Sequence, residues 1–210
     1  MKVTKEKSAE NRAALVQAAG QLFRERGIDG AGVAEISKAA GLTHGALYAQ
    51  FPSKDALAAE ALAQGFKESF ADMIAVKDDG GSSLTNYLDF LVSTGHRDNL
   101  AGGCPLTAST SEIARQNKTV SARFAEGFEQ MVNAIEAVLD KTPSGADRRQ
   151  RALAIIAAEI GAIAVARATA KSRPRLSNEV LIAVRRVLGE VGSEARRPRR
   201  KKAATSRSAK

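Results

Sequence analysis

Apolar positions recur at three- and four-residue spacing along almost the whole chain, and no stretch sustains the period-two alternation and turn dipeptides of a strand. The pattern predicts an all-α fold of about nine helices. The first runs from Ser8 to Arg26, with Leu15, Ala18, Ala19, Leu22 and Phe23 on one stripe and Gly27 as its stop. VAEISKAA (33–40) sets Val33, Ile36 and Ala40 on one face and ends at Gly41, which takes positive φ at little cost. A third, short helix follows Thr43, with Leu47 and Phe51 as its buried seam and Pro52 as its end. The fourth, from Lys54 to about Val76, carries Leu57, Ala61, Phe66, Phe70 and Ile74. DDGGSS (78–83) is a loop by composition, and the fifth helix presents Leu84, Tyr87, Leu88, Leu91 and Val92. HRDNLAGG (96–103) reads as another break. A short sixth helix after Cys104 and Pro105 holds Leu106 and Ile113, and a seventh, near Thr119 to Leu139, carries Phe124, Phe128, Met131, Ile135 and Val138. TPSGAD (142–147) is the next turn, into an eighth helix ending at Ala170. SRPRLSN (172–178) breaks the chain before a ninth helix, Asn178 to Val191, with Val180, Val184, Val187 and Val191 as its seam.

Residues 41–57, GLTHGALYAQFPSKDAL, carry the chemistry. The Thr43 hydroxyl can cap the free N–H groups of the helix it precedes. Leu47 and Phe51 read as core, which leaves His44, Gly45, Tyr48 and Ala49 on the opposite face. In a helix-turn-helix, the N-terminal residues of the second helix meet base edges, and small residues there let the backbone approach the duplex. His44 and Gly45 occupy that place. Ser53 and Lys54 open the next helix, where the N-terminal dipole and a lysine together make a phosphate seat. A lone histidine is in most proteins a solvated or satisfied polar group; it is the surrounding unit that makes His44 a base-reading candidate. The only other histidine is His96 and there is no Cys/His cluster, so neither a metal nor a cofactor is expected.

The same stretch resembles the DNA-binding unit of the TetR family of transcriptional regulators. The family pattern G-[LV]-[ST]-x-G-x-L-Y-x-x-F-x-[ST]-K-x-x-L is met by Gly41, Leu42, Thr43, Gly45, Leu47, Tyr48, Phe51, Ser53, Lys54 and Leu57. The likeness is close over roughly residues 8–62, and beyond them rests on helical layout and length. It implies a homodimeric, usually repressing regulator on double-stranded operator DNA, released by a small molecule. By position it assigns Thr43, Tyr48 and Lys54 to phosphates, His44 and Gly45 to bases, and Gln50 to a further DNA contact. Two departures stand out: Ala31 and Gly32 lie where the family often has a capping threonine, and Gln50 replaces a frequent histidine or tyrosine. The organisation that follows is a helix-turn-helix unit (1–53), a helical effector-binding and dimerisation unit (54–193) and a basic tail (194–210).

Net charge of +9 changes this picture little, because of where it sits. Residues 196–210 contribute +8 with no acid, residues 1–57 contribute +2 and residues 58–195 contribute −1. The high isoelectric point is therefore a property of the tail, and the case for DNA stands on the helix-turn-helix. The tail's own alternative is a nonspecific DNA-binding protein. One cysteine excludes an intrachain disulfide, and MKVTKEKSAENR has no apolar signal region, so a cytoplasmic protein is expected. The apolar run Ile155–Ala166 is interrupted by Glu159 and reads as too short and alanine-rich to span a bilayer. No membrane partner is expected.

Two triggers remain open. One is an apolar or amphipathic ligand lying among Phe66, Phe70, Tyr87, Phe90, Phe124, Phe128 and Met131, each of which also reads as plain core. The other is Cys104. In GGCPLTASTSEIAR (102–115) it stands at a helix start, with Pro105 suited to the first turn, and a helix N-terminus favours a thiolate. The segment G-C-x-[LV]-x-x-x-x-x-E-[IV]-A resembles a TetR branch in which some members use a cysteine here for redox or electrophile response; a small residue at a helix junction is the alternative. An enzyme would need paired titratable groups in a cleft, and His96 with Cys104 is the one pair whose spacing permits contact. The eighth and ninth helices each present an apolar face that wants a partner helix: the two faces either complete the protomer core or, as the resemblance also implies, build a four-helix homodimer interface.

Overall fold

The computed structural model describes residues 4–75, 83–139 and 145–193, and the expectations for 78–82, 142–144 and the tail 194–210 lie outside them. The described residues form ten helices and no strand. α1 (Lys5–Arg26), α2 (Val33–Ala39) and α3 (His44–Gln50) precede the long α4 (Lys54–Ala75). α5 (Ser83–Leu91), α6 (Thr94–Asp98), α7 (Pro105–Ile113), α8 (Lys118–Val138), α9 (Gly145–Ala170) and α10 (Pro174–Ser193) complete the chain.

The boundaries that differ from expectation differ for local reasons. α1 begins before Ser8 because Thr4 is the cap: its hydroxyl accepts the Lys7 N–H at 3.2 Å. The break expected at 96–103 overlaps the end of α6, which is started by Ser93, whose hydroxyl accepts the His96 N–H at 3.1 Å. Five residues are too few to show helical periodicity in sequence. α10 begins at Pro174 and not at Asn178, since proline in a first turn has no N–H to leave unsatisfied.

α4 runs from the helix-turn-helix into the C-terminal helices, packed on α1 and on α8, while α9 packs most extensively on α10 and also covers α8 and α7. The predicted stripe of α1 is buried in full, with Leu15 and Ala19 completely enclosed. Phe66 is buried against α8, meeting Phe124 edge to face at 6.1 Å between centroids. Gly127 permits this approach, because a Cβ there would stand 2.1 Å from the Phe66 ring.

α9 is long and apolar enough by length and composition to cross a membrane, which corrects the expectation that it is too short. Its apolarity has another cause: Ala152, Ile155, Ile156, Ile163 and Ala166 form the centre of the C-terminal core. The seam expected on α10 divides between the protomer core and the surface. Leu181 and Leu188 are the residues buried in the protomer and Val180 and Val184 are half-buried beside them, while Ile182 and Val187 are exposed. Ile160 likewise belongs to the protomer core.

Candidate nucleic-acid interface and the cleft behind it

The turn between α2 and α3 is closed by backbone bonds alone. Gly41 takes φ +68°, its N–H reaches the Lys38 carbonyl at 3.0 Å, and the Leu42 N–H reaches Ser37 at 2.8 Å, the paired bonds of a Schellman ending. Thr43 then caps α3, its hydroxyl accepting the Ala46 N–H at 3.3 Å. At the start of α2, Gly32 offers no side-chain cap, as the Ala31–Gly32 departure implies. Leu47 and Phe51 are fully buried, so α3 is fixed by one face. Thr43, His44, Gly45, Tyr48 and Ala49 stand exposed on the other. Tyr48 is 50% exposed with its ring against His44, centroids 5.1 Å apart. A Cβ at Gly45 would meet nothing within 4 Å, so the backbone there is open to a partner. The Ser53 hydroxyl accepts the Ala56 N–H at 3.1 Å and starts α4, placing half-buried Lys54 at its first turn.

Gln50, expected as a further DNA contact, is half-buried at the end of α3. Its side-chain amide donates to the Ser8 hydroxyl at 2.8 Å, and its main-chain carbonyl accepts from Arg12 Nη1 at 2.6 Å. These two bonds brace α3 against α1. Arg12 is the residue that sequence reasoning missed: it forks onto Glu60 of α4, with one bond at 3.0 Å, and lies 4.1 Å over the Phe51 ring. Nothing in periodicity separates such an arginine from its solvated neighbours.

The C-terminal helices hold a cleft of about 360 Å³ whose walls include Ser69, Tyr87, Phe90, His96, Asn99 and Cys104. Of the effector candidates, Tyr87, Phe90 and Cys104 line it. Phe66, Phe124, Phe128 and Met131 do not: Phe66 meets Phe124 between α4 and α8, and Phe128 and Met131 pack in the core. Phe70 is 36% exposed and also lies outside the walls. Behind Tyr87 stands Glu159, completely buried, which accepts the Tyr87 hydroxyl at 2.9 Å on one oxygen; its second oxygen has no hydrogen-bond partner among the described residues. Burial raises the Glu159 carboxyl from 4.5 to about 8, the Tyr87 bond opposing it, and also raises Tyr87 well above its ordinary range. In sequence Glu159 is one acid in an apolar run, and nothing there tells a buried acid from an exposed one.

Cys104 corrects the expectation of an activated thiol. It caps α7 as expected, and the Leu106 and Thr107 N–H groups do favour its thiolate. Complete burial and the nearby Glu159 carboxyl outweigh them, however, and push the thiol up to about 11. Nor do His96 and Cys104 form a catalytic pair: the contact is from the Cys104 backbone N–H to His96 Nε2 at 3.4 Å. Burial and the Arg167 charge lower His96 to about 4 and keep it neutral.

Two family models divide the chain at a place consistent with this geometry. Residues 15–61 match the model described as bacterial regulatory proteins, tetR family, and residues 82–177 match the C-terminal domain of LmrA/YxaF-like transcriptional regulators. The chain belongs to the TetR family of transcriptional regulators. It is 28% identical over 120 residues to YuxN, an uncharacterized HTH-type transcriptional regulator of Bacillus subtilis, and covers 52% of this chain but 41% of that protein. To the HTH-type transcriptional repressor DhaR of a Mycobacterium species it is 27% identical over 149 residues, 68% of this chain and 73% of DhaR. A TetR transcriptional regulator of Chloroflexus aurantiacus has a similar solved structure, at 25% identity and a TM-score of 0.70 over 88% of this chain and 97% of that one. For this TetR-family regulator, DNA binding through the helix-turn-helix is the shared role, and the exposed face of α3 is the surface available for it.

Proposed function

We propose that the protein is a homodimeric repressor that binds a palindromic operator in the cytoplasm and leaves it when a small molecule occupies the cleft beside Tyr87. The observation that carries the reading is the division of α3 into a fully buried face and a contiguous exposed face that no other part of the described chain covers. In this reading His44 and Gly45 touch base edges, and Thr43, Tyr48 and Lys54 hold phosphates. Residues 1–53 act as the DNA reader and 54–193 as the effector and dimer unit. Two copies join through α9 and α10, whose exposed Val165, Leu176, Ile182 and Val187 support a helical interface. The cleft has the size of small-molecule sites and polar groups among its aromatic walls, which supports a ligand of modest size.

Selection of bound duplexes from a random library by the purified protein tests the reading. The expected product is an inverted repeat whose half-sites lie one helical turn apart, about 34–36 Å, or a small multiple of it. Recovery without sequence enrichment overturns the reading in favour of binding through the basic tail.

A further inference from the structure

The segment that begins at Cys104 ends at Glu112, and the two ends of α7 touch different things. At its start, Cys104 lines the cleft. At its far end Glu112 is buried, and its two carboxyl oxygens accept backbone N–H groups from the turn between α1 and α2: Ile28 at 2.9 Å and Asp29 at 2.9 Å. Those donors are among the groups that a turn leaves without partners, and Ile28 is itself 1% exposed, so Glu112 supplies a bond that water cannot. Gly27 makes room for it: its φ is +80°, and a Cβ there would stand 2.9 Å from a Glu112 oxygen. Gln116 adds a bond to the Asp29 carboxyl at 3.2 Å, and Asn117 reaches Asp55 at the start of α4 at 2.5 Å. Near the cleft end, Arg24 of α1 donates to the Ala101 carbonyl, and Pro105 packs against Gly65 of α4.

We infer that α7 is the rod connecting the cleft to the DNA reader, and that Glu112 is the positioning residue that fastens it to the α1–α2 turn. The bonds from Ile28 and Asp29 join the main chain just ahead of α2 to a helix whose other end is a wall of the cleft. A displacement of Cys104 and Pro105 along α7 is therefore delivered to the turn that sets the pose of α2 and α3. A packed helix passes such a shift on and does not absorb it. The inference rests on the proposed ligand site, and the test separates the two.

Gly95 of α6 also lines the cleft, so Gly95→Trp places a large ring in its wall in lieu of a ligand, and Glu112→Gln removes one of the two acceptors while keeping the side chain's shape. Affinity for the duplex selected by wild type is measured for the four chains of this cycle. The expected result is a loss of tenfold or more from Gly95→Trp in the wild-type background and of less than twofold in the Glu112→Gln background, with Glu112→Gln alone within threefold of wild type. Equal losses in both backgrounds overturn the link and leave the ligand site standing. No loss in either overturns both. A second measurement needs no change at Glu112: Gly95→Trp should speed amide exchange at Ile28 and Asp29 at least tenfold while leaving Ala40, bonded within α2, unchanged. Unaltered exchange at Ile28 and Asp29 overturns the link even if Glu112→Gln fails to fold.

Discussion

Single residues in this protein are governed by burial first and by local dipoles second. Cys104 illustrates the order: the helix N-terminus that the sequence reveals does act on the thiol, but full enclosure, which the sequence does not reveal, overrides it. From 9.0 to about 11 the thiolate fraction near neutral pH falls about a hundredfold. Native protein should therefore react with an aromatic disulfide reagent at least about a hundredfold more slowly than the unfolded chain. Comparable rates in the two states would contradict the burial. Glu159 gives a pH prediction. With a folded value of about 8 against 4.5 when free, it holds its proton in the folded chain after the unfolded chain has lost it. Its contribution to stability is fully present below about pH 4.5 and is lost as the pH rises towards 8. Glu159→Gln keeps an acceptor for the Tyr87 hydroxyl and removes that slope. Its stability should gain on wild type across this window, by up to about 1.4 kcal/mol per pH unit, read from denaturant midpoints. A constant difference between the two proteins would refute the assignment.

At the scale of elements, the long helices and the helix-turn-helix were legible because each buries a stripe several turns long, and periodicity reports stripes. α6 shows no such stripe because a five-residue helix is made by its Ser93 cap, and α10 starts ahead of its periodic pattern because Pro174, a residue that ends helices elsewhere, here begins one. The seam of α10 shows a subtler limit. Val180, Val184, Val187 and Val191 repeat convincingly, yet the helix has two apolar faces, and only the fold tells which one the protomer uses. Leu181 and Leu188 point inward, leaving Ile182 59% and Val187 48% exposed. A charge at Ile160 or Val184, which pack in the protomer, would disrupt the protomer itself, so dimerisation is tested at the exposed residues. Ile182→Glu and Val187→Glu should leave the thermal midpoint of the helical signal nearly unchanged at low protein concentration and yield monomers in sedimentation that bind the operator poorly. An intact dimer in both variants would place the interface elsewhere.

For the molecule as a whole, sequence and fold agree that a DNA-reading unit is joined to a larger helical body. What the sequence could not supply is the set of polar bonds between them. Arg12 on Glu60 and Glu112 on Ile28 and Asp29 link positions 48 to 84 residues apart, beyond the reach of any local pattern. Which aromatic residues line the cleft was also only partly legible, since phenylalanines that fill a helix interface and those that line a cleft have the same spacing. In the proposed reading, sequence is read by α3, and the +8 charge of residues 196–210 adds affinity without choice. The most direct test is the ratio of affinities for the selected duplex and a scrambled one of equal length, at fixed salt, for wild type, for the chain ending at Ser193, and for His44→Ala. Truncation should weaken both duplexes alike and keep a ratio of about 10³ or more. His44→Ala should lower the ratio about 5- to 150-fold, the equivalent of about 1–3 kcal/mol of base discrimination, while changing affinity for the scrambled duplex little. A ratio that collapses on truncation and survives His44→Ala would contradict the account.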